Sequence, residues 1–175
     1  VVLPDWPSAL AAARKHEVDV LMTIGVTTAR AEYLAFTLGA TALPSALFMH
    51  RQQPGAPALA PPSRGRFALE RDFMTIEFVR REFPEASIAT VETTGDALAA
   101  VASGRADYYL GSMLEAQNWL ARQPLAGIEV SGLMTYGTGY YHFAVRKDWA
   151  PLAVILNKGI ATLRTRPLPE LNAAI

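Results

Sequence analysis

Polar residues that could contact a small molecule follow predicted strands at three places in the middle of the chain. These places are residues 71–74, 93–94 and 111–112. In a parallel sheet the carboxyl ends of the strands meet the amino ends of the following helices, and ligands bind there. The sequence therefore predicts a ligand-binding edge, with candidate contacts at Arg71, Asp72, Phe73 and Ser112.

Residue types that carry covalent or metal chemistry are scarce. The chain has no cysteine, which removes disulfides, thiolate nucleophiles and zinc–thiolate sites together. Its three histidines, His16, His50 and His142, are far apart and lack the spacing of metal ligands. No nucleophile–base pair and no pair of carboxylates stands out. We therefore expect no metal, no cofactor and no enzymatic activity.

The charge balance argues against a polyanionic partner. The 16 basic and 16 acidic residues cancel, so no net field attracts nucleic acid or anionic lipid. No apolar run reaches the ~18 residues of a membrane span, and Val1 does not open a signal peptide. We expect a soluble protein, or a soluble piece of a longer one, that binds no nucleic acid.

Hydrophobic patterning predicts strands and helices that alternate along the chain. The expected helices are 8–16, 73–83, 94–103, 112–122 and 150–164, with a helical turn at 27–30. The expected strands are 18–24, 33–37, 46–49, 66–70, 87–91, 106–110, 128–131 and 142–146, the first of them buried. The proline-rich residues 52–65 are expected to form a loop or linker. Such alternation builds right-handed βαβ units on a parallel sheet, so the fold class is α/β.

Small polar residues at the predicted helix starts favour capping. Thr27, Thr94 and Asp148 are expected to cap the helices that they open or precede. Ser112 and Asp72 stand at two further helix starts, where a plain cap is the alternative to a ligand contact.

Three motifs, taken in order along the chain, carry a resemblance to a known family. The first combines residues 17–23 (EVDVLMT) with 27–30 (TTAR). The second combines 96–98 (DAL) with 101–107 (VASGRAD), and the third is 143–149 (FAVRKDW). Together they resemble the family 3 bacterial extracellular solute-binding proteins, whose Venus flytrap domains also serve as periplasmic sensors in histidine kinases.

The resemblance implies an α/β, two-lobed, periplasmic binding protein-like (type II) fold. Family members begin with a strand and a helix upstream of Asp5, so the first lobe would be incomplete at its amino end. The expected boundaries are 1–48 plus 146–175 for lobe one and 49–145 for lobe two, with hinge crossings near 46–50 and 142–146.

The resemblance also assigns ligand contacts. Arg30 matches an arginine that grips a ligand carboxylate with two parallel charge-assisted hydrogen bonds, with polar contacts from Thr23 and the backbone at Gly25 beside it. The alternative is that Arg30 pairs on the surface with Glu32 or another acid.

Two lobe-two positions depart from the family pattern. Ser112 stands where amino-acid binders carry an aspartate, and Asp72 stands where the family usually has glycine. A serine offers only a neutral hydroxyl, and a carboxylate at residue 72 repels an anionic ligand end. Arg71 could compensate that charge or face solvent, and Phe73 could line the site or pack in the core.

The sequences of residues 5–10, 44–48 and 109–112 resemble those of sensor-kinase flytraps of the Bordetella virulence-sensor type. The resemblance therefore implies a sensor module in the periplasm that binds a small carboxylate or an amino-acid-like ligand and acts on a membrane-linked kinase. The alternatives are the solute-binding component of an ABC transporter with a permease as its partner, and a flytrap without ligand. A homodimer is compatible with each of them.

Overall fold

The computed structural model describes three stretches of the chain, and every structural statement concerns them: residues 2–51, 62–134 and 140–165. The chain divides into two compact units, one made of Val1–Ala42 with Tyr140–Ile175 and the other of Leu43–Gly139. These borders fall several residues before those expected at 48 and 145. The strand expected at 46–49 consequently belongs wholly to the second unit.

The first unit packs helices on a three-stranded antiparallel sheet. In chain order its elements are α1 (Trp6–Arg14), β1 (Val20–Ile24), α2 (Thr28–Ala31), β2 (Leu34–Phe36), β8 (His142–Arg146) and α6 (Ala150–Thr165). The strand order is β1-β8-β2, so β8 lies between the two strands from the amino-terminal part. Its buried core is formed by Leu10, Ala13, Leu21, Ile24, Leu34 and Ala144.

Capping explains where α1 begins. The Asp5 carboxylate accepts a hydrogen bond from the Ser8 backbone N–H at 2.7 Å, and Pro7 lies in the first turn, where its missing N–H costs nothing. The helix therefore begins at Trp6, two residues before the position expected from the sequence.

The prediction that β1 is buried is wrong. Val20 is 37% exposed and Met22 is 68% exposed, while Leu21 and Ile24 face the core. Among the described strands β1 pairs only with β8. Most of the buried side chains of β1 therefore lie on one face of the strand. A continuous run of apolar letters cannot distinguish such a strand from one covered on both faces.

The second unit is built on a five-stranded sheet. Its elements are β3 (Ser45–His50), β4 (Arg66–Glu70), α3 (Met74–Glu82), β5 (Ser87–Val91), α4 (Thr94–Ala102), β6 (Tyr108–Ser112), α5 (Met113–Arg122) and β7 (Ile128–Met134). The strand order is β5-β4-β6-β3-β7. The predicted parallel pairing is confirmed for β4 with β5 and β6, but β3 runs antiparallel to β6 and β7. Side-chain alternation does not encode strand direction, which is why the sequence pattern missed this.

Alternation along β4 divides its side chains between two cores. Phe67 and Leu69 pack with α3, and Ala68 lies on the opposite face with α4 and α5. Glu70 follows Ala68 by two residues, so it points to the α4 face. The last side chain of the strand is therefore an acid turned towards an apolar core.

Two predicted caps need correction. Thr93, not Thr94, caps α4, and it forms a reciprocal capping box with Asp96. Asp148 lies within a short 3-10 turn before α6 and accepts hydrogen bonds from Arg146, at 2.6 Å from Nη2. The predicted cap at Thr27 is confirmed, since its hydroxyl accepts from the Arg30 N–H at 3.3 Å.

The predicted loop at 52–65 lies mostly outside the described residues, which resume with a 3-10 turn at Pro62–Arg64. The tyrosine- and glycine-rich stretch at 136–141 lies largely outside them as well. Of the helices that the structure describes, none has the length and apolar character needed to cross a membrane.

Gly111 in β6 provides a test of the packing of the second unit. A Cβ at this position would overlap the Tyr109 phenol, whose Cε2 would lie 2.8 Å away. The Tyr109 ring is 1% exposed and stacks on Phe48, so it cannot withdraw. Gly111→Ala should lower the free energy of unfolding by about 1–3 kcal/mol in urea titrations. Gly132→Ala in β7, where a Cβ meets nothing within 4 Å, is the matched control. Equal stabilities of the two variants would contradict the packing.

Candidate ligand-binding residues

The predicted edge of the second unit exists, because β4, β5 and β6 are parallel neighbours and end on the same side of the sheet. Residues 71–73 follow β4, residues 92–94 follow β5, and Ser112 closes β6. Arg71, Asp72, Phe73 and Ser112 are thus held along one sheet edge, where helices α3, α4 and α5 begin.

A tight turn joins β4 to α3. The Phe73 N–H donates to the Glu70 carbonyl at 3.2 Å, and the Arg71 N–H donates to the Val91 carbonyl at 2.9 Å. Asp72 has a φ of 61°, a left-handed conformation that glycine adopts at little cost.

The interpretation of Asp72 as the α3 cap is wrong. The cap residue is Phe73, in extended conformation, and no side chain forms the capping hydrogen bond. Asp72 is exposed and lies one residue before Phe73, which is too early in the chain for the cap residue of α3. Phe73 itself is half-buried, whereas Phe78 and Val79 form the buried face of α3.

Arg71 is committed to an ion pair with Glu92, which follows β5. Its Nε donates to Glu92 Oε1 at 3.1 Å and its Nη2 contacts the same oxygen. Both side chains are exposed, so the pair contributes little to stability, and it holds the pKa of Arg71 above its ordinary value. The pair does place a guanidinium beside Asp72.

Ser112 performs the capping role that was the alternative to ligand contact. Its hydroxyl accepts a hydrogen bond from the Glu115 N–H at 3.3 Å at the start of α5. Its backbone pairs with Ser45 at the start of β3. The hydroxyl is partly exposed, and a role in ligand binding stays a prediction.

A buried polar cluster behind this edge was not predicted from the sequence. The Glu70 Oε1 accepts hydrogen bonds from Thr94 Oγ1 at 2.8 Å and from the Tyr109 hydroxyl at 2.7 Å. Burial raises the pKa of Glu70, and burial next to Glu70 raises the pKa of Tyr109 well above its ordinary value. The only signal in the sequence was the alternation that puts Glu70 on the face of Ala68.

Three candidate residues of the first unit are grouped where β1 ends. Arg30 is 5% exposed, its Nη1 donates to the Gly25 carbonyl at 2.7 Å, and its guanidinium lies 5.3 Å from the centre of the Trp6 ring. Thr23 is exposed and has a φ of 56°, within the irregular pairing between Leu21 and Ile24. The Arg30 guanidinium is therefore positioned by the turn after β1 and by α1.

Comparison with curated proteins finds sensor proteins of Bordetella. The chain is 24% identical over 163 residues to the virulence sensor protein BvgS of Bordetella pertussis, and equally so to that of Bordetella bronchiseptica. The matched region is 93% of this chain and 13% of each relative, so the chain spans a small part of their length. No family model matches the chain.

Comparison with solved structures decides the fold. A histidine kinase sensor domain with similarity to periplasmic binding proteins has a TM-score of 0.74 and 28% identity, covering 91% of this chain and 69% of that one. The chain has a periplasmic binding protein-like fold. Holo ArgBP of T. maritima matches at a TM-score of 0.74 with 18% identity. The match covers 97% of this chain and 74% of ArgBP. The periplasmic VFT2 domain of Bordetella pertussis BvgS matches at 0.71 with 20% identity, over 98% and 72%.

The left-handed turn at Asp72 can be tested by substitution. Asp72→Gly fits the φ of 61° without a Cβ, whereas Asp72→Ala places a methyl group in a disfavoured conformation. Asp72→Ala should be less stable than Asp72→Gly by roughly 1 kcal/mol in chemical denaturation. Both variants remove the carboxylate, so their difference reports the backbone alone. An alanine variant as stable as the glycine variant would show that the turn is not left-handed.

Proposed function

We propose that this chain is the periplasmic ligand-binding module of a membrane-linked sensor histidine kinase. The observation that carries the proposal is its similarity to a histidine kinase sensor domain, at 28% identity over 91% of the chain. The relation to the Bordetella virulence sensors, although it covers 13% of their length, supports the same assignment. In this role the domain binds and signals without catalysing a reaction.

The proposed mechanism is a population shift. A ligand that binds one conformation of the domain more tightly than another moves the equilibrium towards that conformation by its difference in affinity. A kinase joined to the domain reads this shift. A homodimer is compatible with this role, and sedimentation equilibrium of the chain tests for it.

Each unit has its own proposed contacts. In the first unit they are Thr23, Gly25 and Arg30, and in the second unit they are Arg71, Asp72, Phe73 and Ser112. Arg30 supplies positive charge for a small carboxylate, and its hydrogen bond to Gly25 fixes its guanidinium before a ligand arrives. Ser112 offers a hydroxyl where the resemblance leads us to expect an aspartate. A hydroxyl is a weaker partner than a carboxylate for the ammonium group of an α-amino acid, so the proposed ligand is a carboxylate rather than a zwitterionic α-amino acid.

A transport role is the second candidate. It is supported by the fold shared with arginine-binding proteins, including an arginine transport protein of Legionella pneumophila at 17% identity and a TM-score of 0.70. Identity at that level concerns the fold, whereas the sensor-domain similarity is 28%. The observation therefore favours the sensor role.

A thermal-shift screen tests ligand binding. The panel contains amino acids, small carboxylates, nicotinate-like acids and polyamines. A ligand present at 100 times its dissociation constant adds about 2.7 kcal/mol to the free energy of unfolding, which gives a clear rise in melting temperature. We expect a small carboxylate to give this rise. A panel without any shift would contradict the proposal that the domain binds such a ligand.

Arg30 is tested with the ligand found in that screen. Arg30→Gln should abolish the ligand-induced rise in melting temperature, because a neutral amide cannot replace the charge-assisted bonds to a carboxylate. Since Arg30 is buried and bonded to Gly25, the variant is also expected to melt lower without ligand. The measured quantity is therefore the rise with ligand, not the melting temperature itself.

The matched control is Arg14→Gln, an arginine of the same unit that lies 4.8 Å from the Tyr33 ring centre. It should keep the full ligand-induced rise. An undiminished rise in Arg30→Gln would remove Arg30 from the site.

A further inference from the structure

Glu70 is an acid buried at the last position of β4. It is 2% exposed. Its Oε1 accepts two hydrogen bonds, from Thr94 at the start of α4 and from Tyr109 on β6. Its Oε2 is also buried and accepts no hydrogen bond from another residue that the structure describes. One oxygen of the carboxyl group is thus satisfied twice and the other is not satisfied at all.

No basic side chain among the described residues compensates the charge of this acid. In the described part of the chain no ion pair joins Glu70 to a basic side chain. The titratable groups that act on it are Tyr109 on β6 and Glu115 on α5, and a charge on either opposes a charge on Glu70. Burial of a carboxylate without a positive partner is costly and favours the neutral form of the acid.

The same residue closes the turn that leads to α3. The Glu70 carbonyl accepts from the Phe73 N–H at 3.2 Å, and the next residue, Arg71, is bonded through its N–H to Val91. Between them Asp72 holds a left-handed conformation. A shift of Glu70 towards water would pull directly on this turn.

We propose that Glu70 is a proton-operated latch on the turn of residues 70–73: the folded second unit holds it as a neutral acid, and its ionisation loosens the turn. The inference concerns the second unit alone and does not depend on the identity of a ligand. If the proposed sensor function also holds, proton concentration becomes a second input that acts on Arg71, Asp72 and Phe73.

The sign of the pH effect follows from linkage. The pKa of Glu70 is raised above its ordinary value of 4.5 in the folded state, chiefly by burial. Between 4.5 and the folded pKa the native state holds a proton that the unfolded chain has released, so stability from this group is complete below 4.5 and is lost as pH rises.

The experiment compares the full chain with Glu70→Gln between about pH 4 and about pH 8, by thermal melting. Glutamine keeps the shape and stays neutral, so its melting temperature should rise relative to wild type as pH rises. Glu77→Gln, at an exposed position of α3, is the control and should follow wild type throughout. Parallel profiles for Glu70→Gln and wild type would overturn the proposal.

Hydrogen exchange locates the effect and does not require the glutamine variant to fold. The protection of the Phe73 amide, relative to the intrinsic exchange rate, should fall in wild type as pH rises through the transition. In Tyr109→Phe the transition should move to higher pH, because the Tyr109 hydrogen bond favours the ionised form of Glu70. Constant protection of Phe73 in wild type, or an unmoved transition in Tyr109→Phe, would contradict the latch.

Discussion

The parallel pairing of β4 with β5 and β6 is the constraint on which the second unit depends. Arg66 through Glu70 pair in register with Ser87 through Val91, so the two strands end together. At the other end of β4 the Asp107 carboxylate accepts from the Arg66 backbone at 2.8 Å and from its guanidinium at 2.7 Å, which lowers the pKa of Asp107. Because the starts of the strands are held in this way, the turns that follow the strands lie along one edge of the sheet.

This edge combines polar groups that serve the fold with groups that can serve a ligand. Ser112 and Thr93 satisfy helix starts, and the backbone of Arg71 extends the pairing of β4 with β5. Glu70 departs from this rule, since a buried acid with one unsatisfied oxygen costs free energy that an apolar residue would not. A fold retains such a destabilising group when the group has a function. The geometry supports one such function, a link between the protonation of Glu70 and the adjacent turn.

The sequence predicted the helices and strands better than the pairing of the strands, and the reason is physical. Helices and strands from residue 66 to 122 follow one another with short connections, so local patterns determine most of what forms. In the first unit β8 comes from more than a hundred residues downstream and lies between β1 and β2, and no local pattern reports such a pairing. The exposure of Met22 and the antiparallel direction of β3 were missed for the same reason.

The candidate contacts were predictable as positions, and capping by Ser112 was one of the predicted alternatives, but the local roles of Arg71 and Asp72 were not predicted. Motif and strand-end reasoning placed Arg71, Asp72 and Ser112 on one edge. The left-handed backbone of Asp72 and the partner of Arg71 required coordinates, because neither depends on neighbours in sequence. The sequence shows Glu70 as the last residue of a predicted strand. Its buried hydrogen bonds with Thr94 and Tyr109 are seen only in the structure.

The most direct test of the ligand-binding account is an NMR titration of the isotope-labelled chain with the carboxylate that gives the largest thermal shift. The account predicts that the backbone amides of Phe73 and Ser112 in the second unit shift with one common dissociation constant, and that the backbone amide of Arg30 in the first unit shifts as well. Binding that leaves these amides unmoved, while others shift, would contradict the assignment of the ligand site to these residues.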